Sequence, residues 1–205
     1  MKKVLSLIAI LGALTGTASA APYYLPQPAG GALTPYDWQP VYSIEGVYNF
    51  SDKNQPDTYG ARLSFSLYNN AEGSVRHQFS INAGYECGSD TVNFNDLGRN
   101  INVDLTRIPF TLGYDVNLAL SKSVFLDLGA KAGYALGEVE HEHISEDLNG
   151  FTFALGAGIK VQCSDSIYVK LGYEFNRTFF HAKDSGSRHY NYGQHGIVFG
   201  VGATF

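Results

Sequence analysis

The sequence predicts an all-β fold: an eight-stranded antiparallel up-and-down transmembrane β-barrel. Three observations predict it. From Gln39 onward, apolar and polar residues alternate with period two over segments of ten or more residues. The apolar set is almost free of charge, whereas the polar set carries charge in mid-strand. The chain opens on an export segment, and beyond it no apolar stretch approaches the roughly 20 residues of a spanning helix.

Residues 1–20 read as a cleaved signal peptide. Lys2 and Lys3 give a positive start, residues 4–14 are apolar, and Thr17-Ala18-Ser19-Ala20 supplies the small residues that precede cleavage before Ala21. Losing both lysines takes the formal charge from −5 to −7, which argues against nucleic acid as a partner. Residues 21–40, with Pro22, Pro26, Pro28, Pro35 and Gly30-Gly31 and no periodicity, read as a Pro-rich periplasmic linker. Residues 41–205 then form the barrel.

The strands follow in order. Residues 41–50 set Tyr42, Ile44, Tyr48 and Phe50 against Ser43, Glu45 and Asn49. Residues 58–68 set Tyr59, Leu63, Phe65 and Leu67 against Arg62, Ser64 and Ser66. Residues 75–86 oppose Phe79, Ile81 and Tyr85 to Arg76, Gln78 and Glu86. Residues 102–118 oppose Ile108, Phe110, Leu112 and Tyr114 to Arg107, Asp115 and Asn117. The phase breaks there near Thr106, and Pro109 lacks an N–H, so a bulge or local irregularity is expected. Residues 124–138 alternate Leu126, Leu128 and Tyr134 with Asp127 and Lys131, and residues 151–162 alternate Phe153, Leu155 and Ile159 with Thr152 and Lys160. Residues 167–178 alternate Val169, Leu171 and Tyr173 with Lys170 and Glu174. Residues 194–205 alternate Ile197, Phe199, Val201 and Phe205 with a polar, glycine-rich set.

Connections alternate between short (69–74, 119–123, 163–166) and long polar stretches (51–57, 87–101, 140–150, 179–193). Short periplasmic turns and long extracellular loops are the asymmetry of transmembrane barrels. Aromatics on the apolar face gather toward strand ends, as interfacial girdles do. The mid-strand charges Glu45, Arg62, Arg76, Glu86, Arg107, Asp115, Asp127, Lys131, Lys160, Lys170 and Glu174 then face a closed lumen. Their near-balance of six cations and five anions suits an interior ion network, because buried charges need partners. Cys87 and Cys163 fall at opposite ends of an apolar band about 25 Å tall, so two free thiols are expected.

Two segments resemble known proteins. Residues 196–205 (GIVFGVGATF) resemble the C-terminal signal of bacterial outer-membrane barrels, which ends on an aromatic residue. Residues 105–114 (LTRIPFTLGY) are similar to a strand of the opacity-like, porin-family barrels, and the whole layout is similar to the OmpA transmembrane domain and OmpX. The resemblance implies a bacterial outer-membrane location, lipid as surroundings, and recognition of Phe205 by the barrel-assembly machinery. It says little about activity, since such folds host adhesins, enzymes, anchors and channels.

Candidate chemistry is sparse. His141 and His143, beside Glu138, Glu140, Glu142, Glu146 and Asp147, are weak metal candidates, because no third ligand is fixed by spacing. His181 with Asp184, Ser185 and Ser187 supplies hydrolase residue types without a matching strand motif. The expected protein is a non-enzymatic outer-membrane barrel without catalytic residues or cofactor, whose loops meet an extracellular ligand in adhesion, surface recognition or envelope integrity. A narrow channel for ions or small solutes is the alternative, and a lipid-A-modifying or proteolytic barrel enzyme the third reading.

Overall fold

The computed structural model describes residues 38–51, 55–69, 74–94, 99–141, 144–182 and 189–204. Eight strands follow in chain order: β1 (Trp38–Ser51), β2 (Thr58–Asn69), β3 (Val75–Phe94), β4 (Arg99–Ala119), β5 (Val124–His141), β6 (Ile144–Gln162), β7 (Ile167–Ala182) and β8 (His189–Thr204). Each pairs antiparallel with the next and β1 pairs with β8, which closes the sheet into a barrel. Closure satisfies the backbone along the ring, the condition for a sheet to stand in hydrocarbon.

Period two in the sequence becomes period two in burial. On β1, Val41, Ser43, Glu45, Val47 and Asn49 turn inward, and Tyr42, Ile44, Tyr48 and Phe50 turn outward. The result is inverted relative to a water-soluble barrel. Leu112 is 67% exposed and Ile81 62%, while Glu86 is 0% and Asp127 1% exposed. In water such an apolar belt would cost about 25 cal/mol for each Å² left wet. Lipid removes that cost, so the face pattern alone requires a membrane around the barrel.

Two expectations need correction and one takes a definite form. First, β1 begins at Trp38, inside the segment read as linker: Trp38 and Pro40 pair with Asn69 and Leu67, and the Trp38 ring lies 5.6 Å from that of Phe79. Second, the bulge or irregularity expected at Pro109 is a gap in the ladder. The β3–β4 ladder skips Gly84 and Tyr85 opposite Ile108 and Pro109, then resumes in unchanged register at Glu86↔Arg107. Third, most of the long outer loops are strand. β3 and β4 run on to Phe94 and Arg99, β5 and β6 nearly meet at His141 and Ile144, and β7 reaches Ala182.

One cause underlies the last two. Above Arg107 the chemistry of the faces exchanges while the geometry continues. Leu105 and Val103 point inward and Thr106 and Asp104 outward, still in phase. The inward residues there form an apolar core of Val103, Leu105, Ala135, Val139, Leu148, Phe180, Ala182 and Tyr192. The barrel has left the lipid at this level, so water lies outside and the hydrophobic side chains turn in. The break near Thr106 marks that boundary.

Cys87 is partly buried on β3 and Cys163 exposed in the turn after β6, and both are free. The proposed signal peptide, nearly all of the linker, Phe205, His143, Asp184, Ser185 and Ser187 lie outside the described residues.

Candidate functional site

The lumen is where the sequence concentrates its charge, and the structure arranges nine of the eleven named residues in one line. Arg107 bonds Glu86, Glu86 bonds Arg62 (3.0 Å), and Arg62 bonds Glu174 (2.6 Å). Glu174 meets Lys131 at 3.1 Å, Lys131 meets Glu45 at 3.4 Å, and Glu45 lies 3.9 Å from Lys170. Lys170 meets Asp127 at 2.5 Å, and Asp127 lies 3.3 Å from Lys160. Signs alternate at every step. A row of that kind lowers the energy of each member, since every anion has a cation on both sides.

Adjacency along the sheet does not decide the pairs. Glu45 and Arg62 are in register on β1 and β2, yet no ion pair joins them. Arg62 instead reaches across the lumen to Glu174 on β7, and Lys131 on β5 reaches Glu45 on β1. Neutral side chains of the same inward set complete the shell. Arg107 donates to Asn176 Oδ1 (3.1 Å) and Thr178 Oγ1 (3.0 Å), and Asn49 donates to Glu86 at 2.9 Å. Lys160 donates to Gln78 Oε1 (2.9 Å) and Asn117 Oδ1 (2.6 Å). These amides were legible only as members of the polar face; no spacing marks them as partners of particular ions.

Two of the eleven stand apart. Arg76 pairs with no carboxylate among the described residues: its guanidinium lies 4.5 Å from the centre of the Phe125 ring and donates to the Tyr68 hydroxyl at 2.6 Å. Asp115 is 5% exposed but makes no hydrogen bond or ion pair with any described residue. Its carboxylate lies over Gly129, where an added Cβ would collide with it. Asp115→Asn is therefore expected to change stability by under about 1 kcal/mol, whereas Asp127→Asn takes the carboxylate from Lys160, leaves Lys170 only Glu45 at 3.9 Å, and costs about 3–5 kcal/mol. Urea unfolding in phospholipid vesicles compares the two; equal losses would show that Asp115 carries a comparable interaction.

Lumen cavities of about 20 Å³ each lie beside Asp115, beside Arg62 and beside Tyr168, room for about one water apiece. Lys160, which lines the last of these, lies 4.8 Å from the centre of the Tyr168 ring. Above Glu86, Asn49, Thr58, Asn176 and Gln194 form a polar layer under the apolar core.

Outside, aromatic rings ring both ends of the apolar band. At the turn end Tyr42 packs on Phe65 (5.2 Å) and Phe79 on Tyr114 (4.7 Å), with His77 bonded to the Tyr114 hydroxyl at 2.7 Å. At the far end Phe50 and Phe175 pack on His195, which bonds the Tyr173 hydroxyl. Among the described residues no group of three or more His, Cys, Asp or Glu is placed to hold a metal ion. His141 sits at the outer end of β5, opposite Ile144. His181 and His189 are ring neighbours at 4.6 Å on β7 and β8.

An inverted, closed eight-stranded barrel with a charged, filled lumen and two aromatic girdles defines an outer-membrane barrel protein. The chain belongs to the family described as outer membrane protein beta-barrel domain, whose sequence pattern matches residues 7–205. This family places it in the bacterial outer membrane. Among solved structures it is similar to Neisserial surface protein A, at 12% identity and a TM-score of 0.57, covering 82% of this chain and 97% of that one. It is also similar to outer membrane protein W of E. coli, at 12% identity and a TM-score of 0.50, covering 83% of this chain and 99% of the other. At such identity both likenesses speak for the fold. No curated protein matches the chain in sequence.

Proposed function

We propose that this chain is a non-enzymatic surface protein that acts through its outer rim, in adhesion or surface recognition. The observation that carries the reading is the filling of the lumen. An ion row joins Arg107 to Lys160, an apolar core lies over it, and the cavities between admit about one water each. What remains accessible from outside is the rim of projecting strands, led by β3 and β4 at 20 and 21 residues. In the same reading residues 1–20 direct export, the eleven lumen charges serve the plug, and Phe205 is the residue the assembly machinery recognises.

Purified protein in planar bilayers is expected to give no steady conductance. Bacteria displaying it are expected to bind epithelial monolayers or matrix-coated plates better than bacteria displaying a chain whose β3–β4 and β5–β6 tips are replaced by short turns. Steady ion current from the purified chain would favour the channel instead. Equal binding by both strains would remove the rim from the function.

A further inference from the structure

We propose that His181 and His189 form a chelate for a divalent transition cation, copper(II) foremost, on the outer wall of the barrel above the lipid. The two residues face each other across the outermost rung of the β7–β8 ladder. Both are exposed, and their rings lie 4.6 Å apart, centre to centre, with planes at 83°. That separation is the one a shared ion requires. A ring nitrogen stands about 2.0–2.1 Å from a bound ion, so two rings set at right or tetrahedral angles about it have centres about 4.5–5.2 Å apart.

The other described histidines are placed differently. His77 and His195 bond the hydroxyls of Tyr114 and Tyr173 and stack within the girdles. His141 faces Ile144 at the tip of β5 and β6. Neither His181 nor His189 forms a hydrogen bond or ion pair with a described residue through its ring, so the ring nitrogens are available to an ion. The strands beneath them are held from inside. Phe180 and Ala182, which flank His181, belong to the apolar outer core. Tyr190, next to His189, packs against that core and donates to Glu146 at 2.6 Å. A pair fixed through its backbones loses little freedom on binding, which is how preorganisation raises affinity. The same core sets the level of the site, since at this height the hydrophobic side chains turn in and the outer wall meets water.

Ligand type selects the ion. Imidazole suits copper, nickel and zinc, whereas magnesium and calcium take oxygen ligands. Two nitrogens with water at the remaining positions match the tetragonal coordination of copper(II), which also stands highest in the affinity order of the divalent series. The surrounding charge favours a cation. On β6, Asp147 lies two residues from Asn149, the register partner of His181, and Asp147 itself faces Glu138 on β5. Both carboxylates are exposed, and neither is ion-paired with a described cation. An ion held by both rings would tie the outer ends of β7 and β8 together.

This inference goes beyond the surface-recognition reading and does not depend on it. The full chain without a histidine tag, in phospholipid vesicles, is titrated with copper(II) and followed by calorimetry and electron paramagnetic resonance. One ion per chain with two nitrogen ligands is expected, and magnesium should give no binding heat. His181→Ala and His189→Ala should each lower the affinity by more than the about 10–100-fold that loss of an outer-shell partner costs. Each should also reduce the spectrum to one nitrogen, and His141→Ala should change neither reading. With copper(II) at about one hundred times its Kd, amide exchange over residues 179–182 and 189–191, read by mass spectrometry, should slow by up to about a hundredfold in the parent chain and stay unchanged in either variant. No binding by the parent chain, binding at parent strength in both variants, or bound copper(II) without slower exchange at the outer ends of β7 and β8 would overturn the chelate.

Discussion

Glu86→Gln is expected to lower the stability of the barrel by about 3–5 kcal/mol, the scale for breaking a buried ion pair by removing one partner. Glu86 is 0% exposed and accepts from four nitrogens: Arg62 Nε and Nη2, Arg107 Nη2, and Asn49 Nδ2. Glutamine keeps the shape and loses the charge, and its amide group brings donors to a place already crowded with them. Arg62 would retain Glu174. Arg107 would keep only the neutral Asn176 and Thr178, so the stranded charge is Arg107. Adding Arg107→Met should therefore recover much of the loss, a coupling that a double-mutant cycle measures. Urea unfolding in vesicles, followed by the single tryptophan Trp38, reads both variants. Should Glu86→Gln alone fail to fold, recovery in the double variant still tests the point. An unchanged midpoint for Glu86→Gln would mean that the ion row contributes little.

Phe180→Ala should cost a similar 3–5 kcal/mol by opening a cavity in the outer core. Phe180 is 1% exposed, packs edge-on against Tyr192 at 5.8 Å, and lies where a Cβ on Gly137 would touch its ring. The effect should be local. Hydrogen exchange is expected to rise at the outer ends of β4, β5, β7 and β8, with the lipid-embedded strands unchanged. The neighbouring Phe179→Ala, at an outward and 37% exposed position, should do far less. If both variants behave alike, the outer barrel is not held by an inward core.

The expected local loss bears on function, because a rim built on a packed core is a rigid platform. Long polar stretches such as 87–101 and 140–150 read as loops, yet the structure makes them mostly paired strand. The period-two signal of a membrane strand is a contrast between lipid-facing and lumen-facing residues. Beyond the membrane that contrast reverses, with Leu105 in and Asp104 out, and a reader following one phase sees only noise. The signal was present in inverted form.

Within the membrane the sequence by itself determined the strand count, the faces and the inverted character of the barrel. Each of these depends on local periodicity, which one strand displays without reference to another. It also named the charges that would lie inside. Only the tertiary structure decided their partners, because pairs such as Arg62–Glu174 and Lys131–Glu45 form across the lumen between strands far apart in sequence. It alone set Asp115 and Arg76 outside the ion row, and it alone carried β3 past the end of its described pairing with β2. Those outcomes depend on closure and on relative strand length: which side chains meet across a ring, and which strand outruns its neighbour. Both are properties of the assembled sheet.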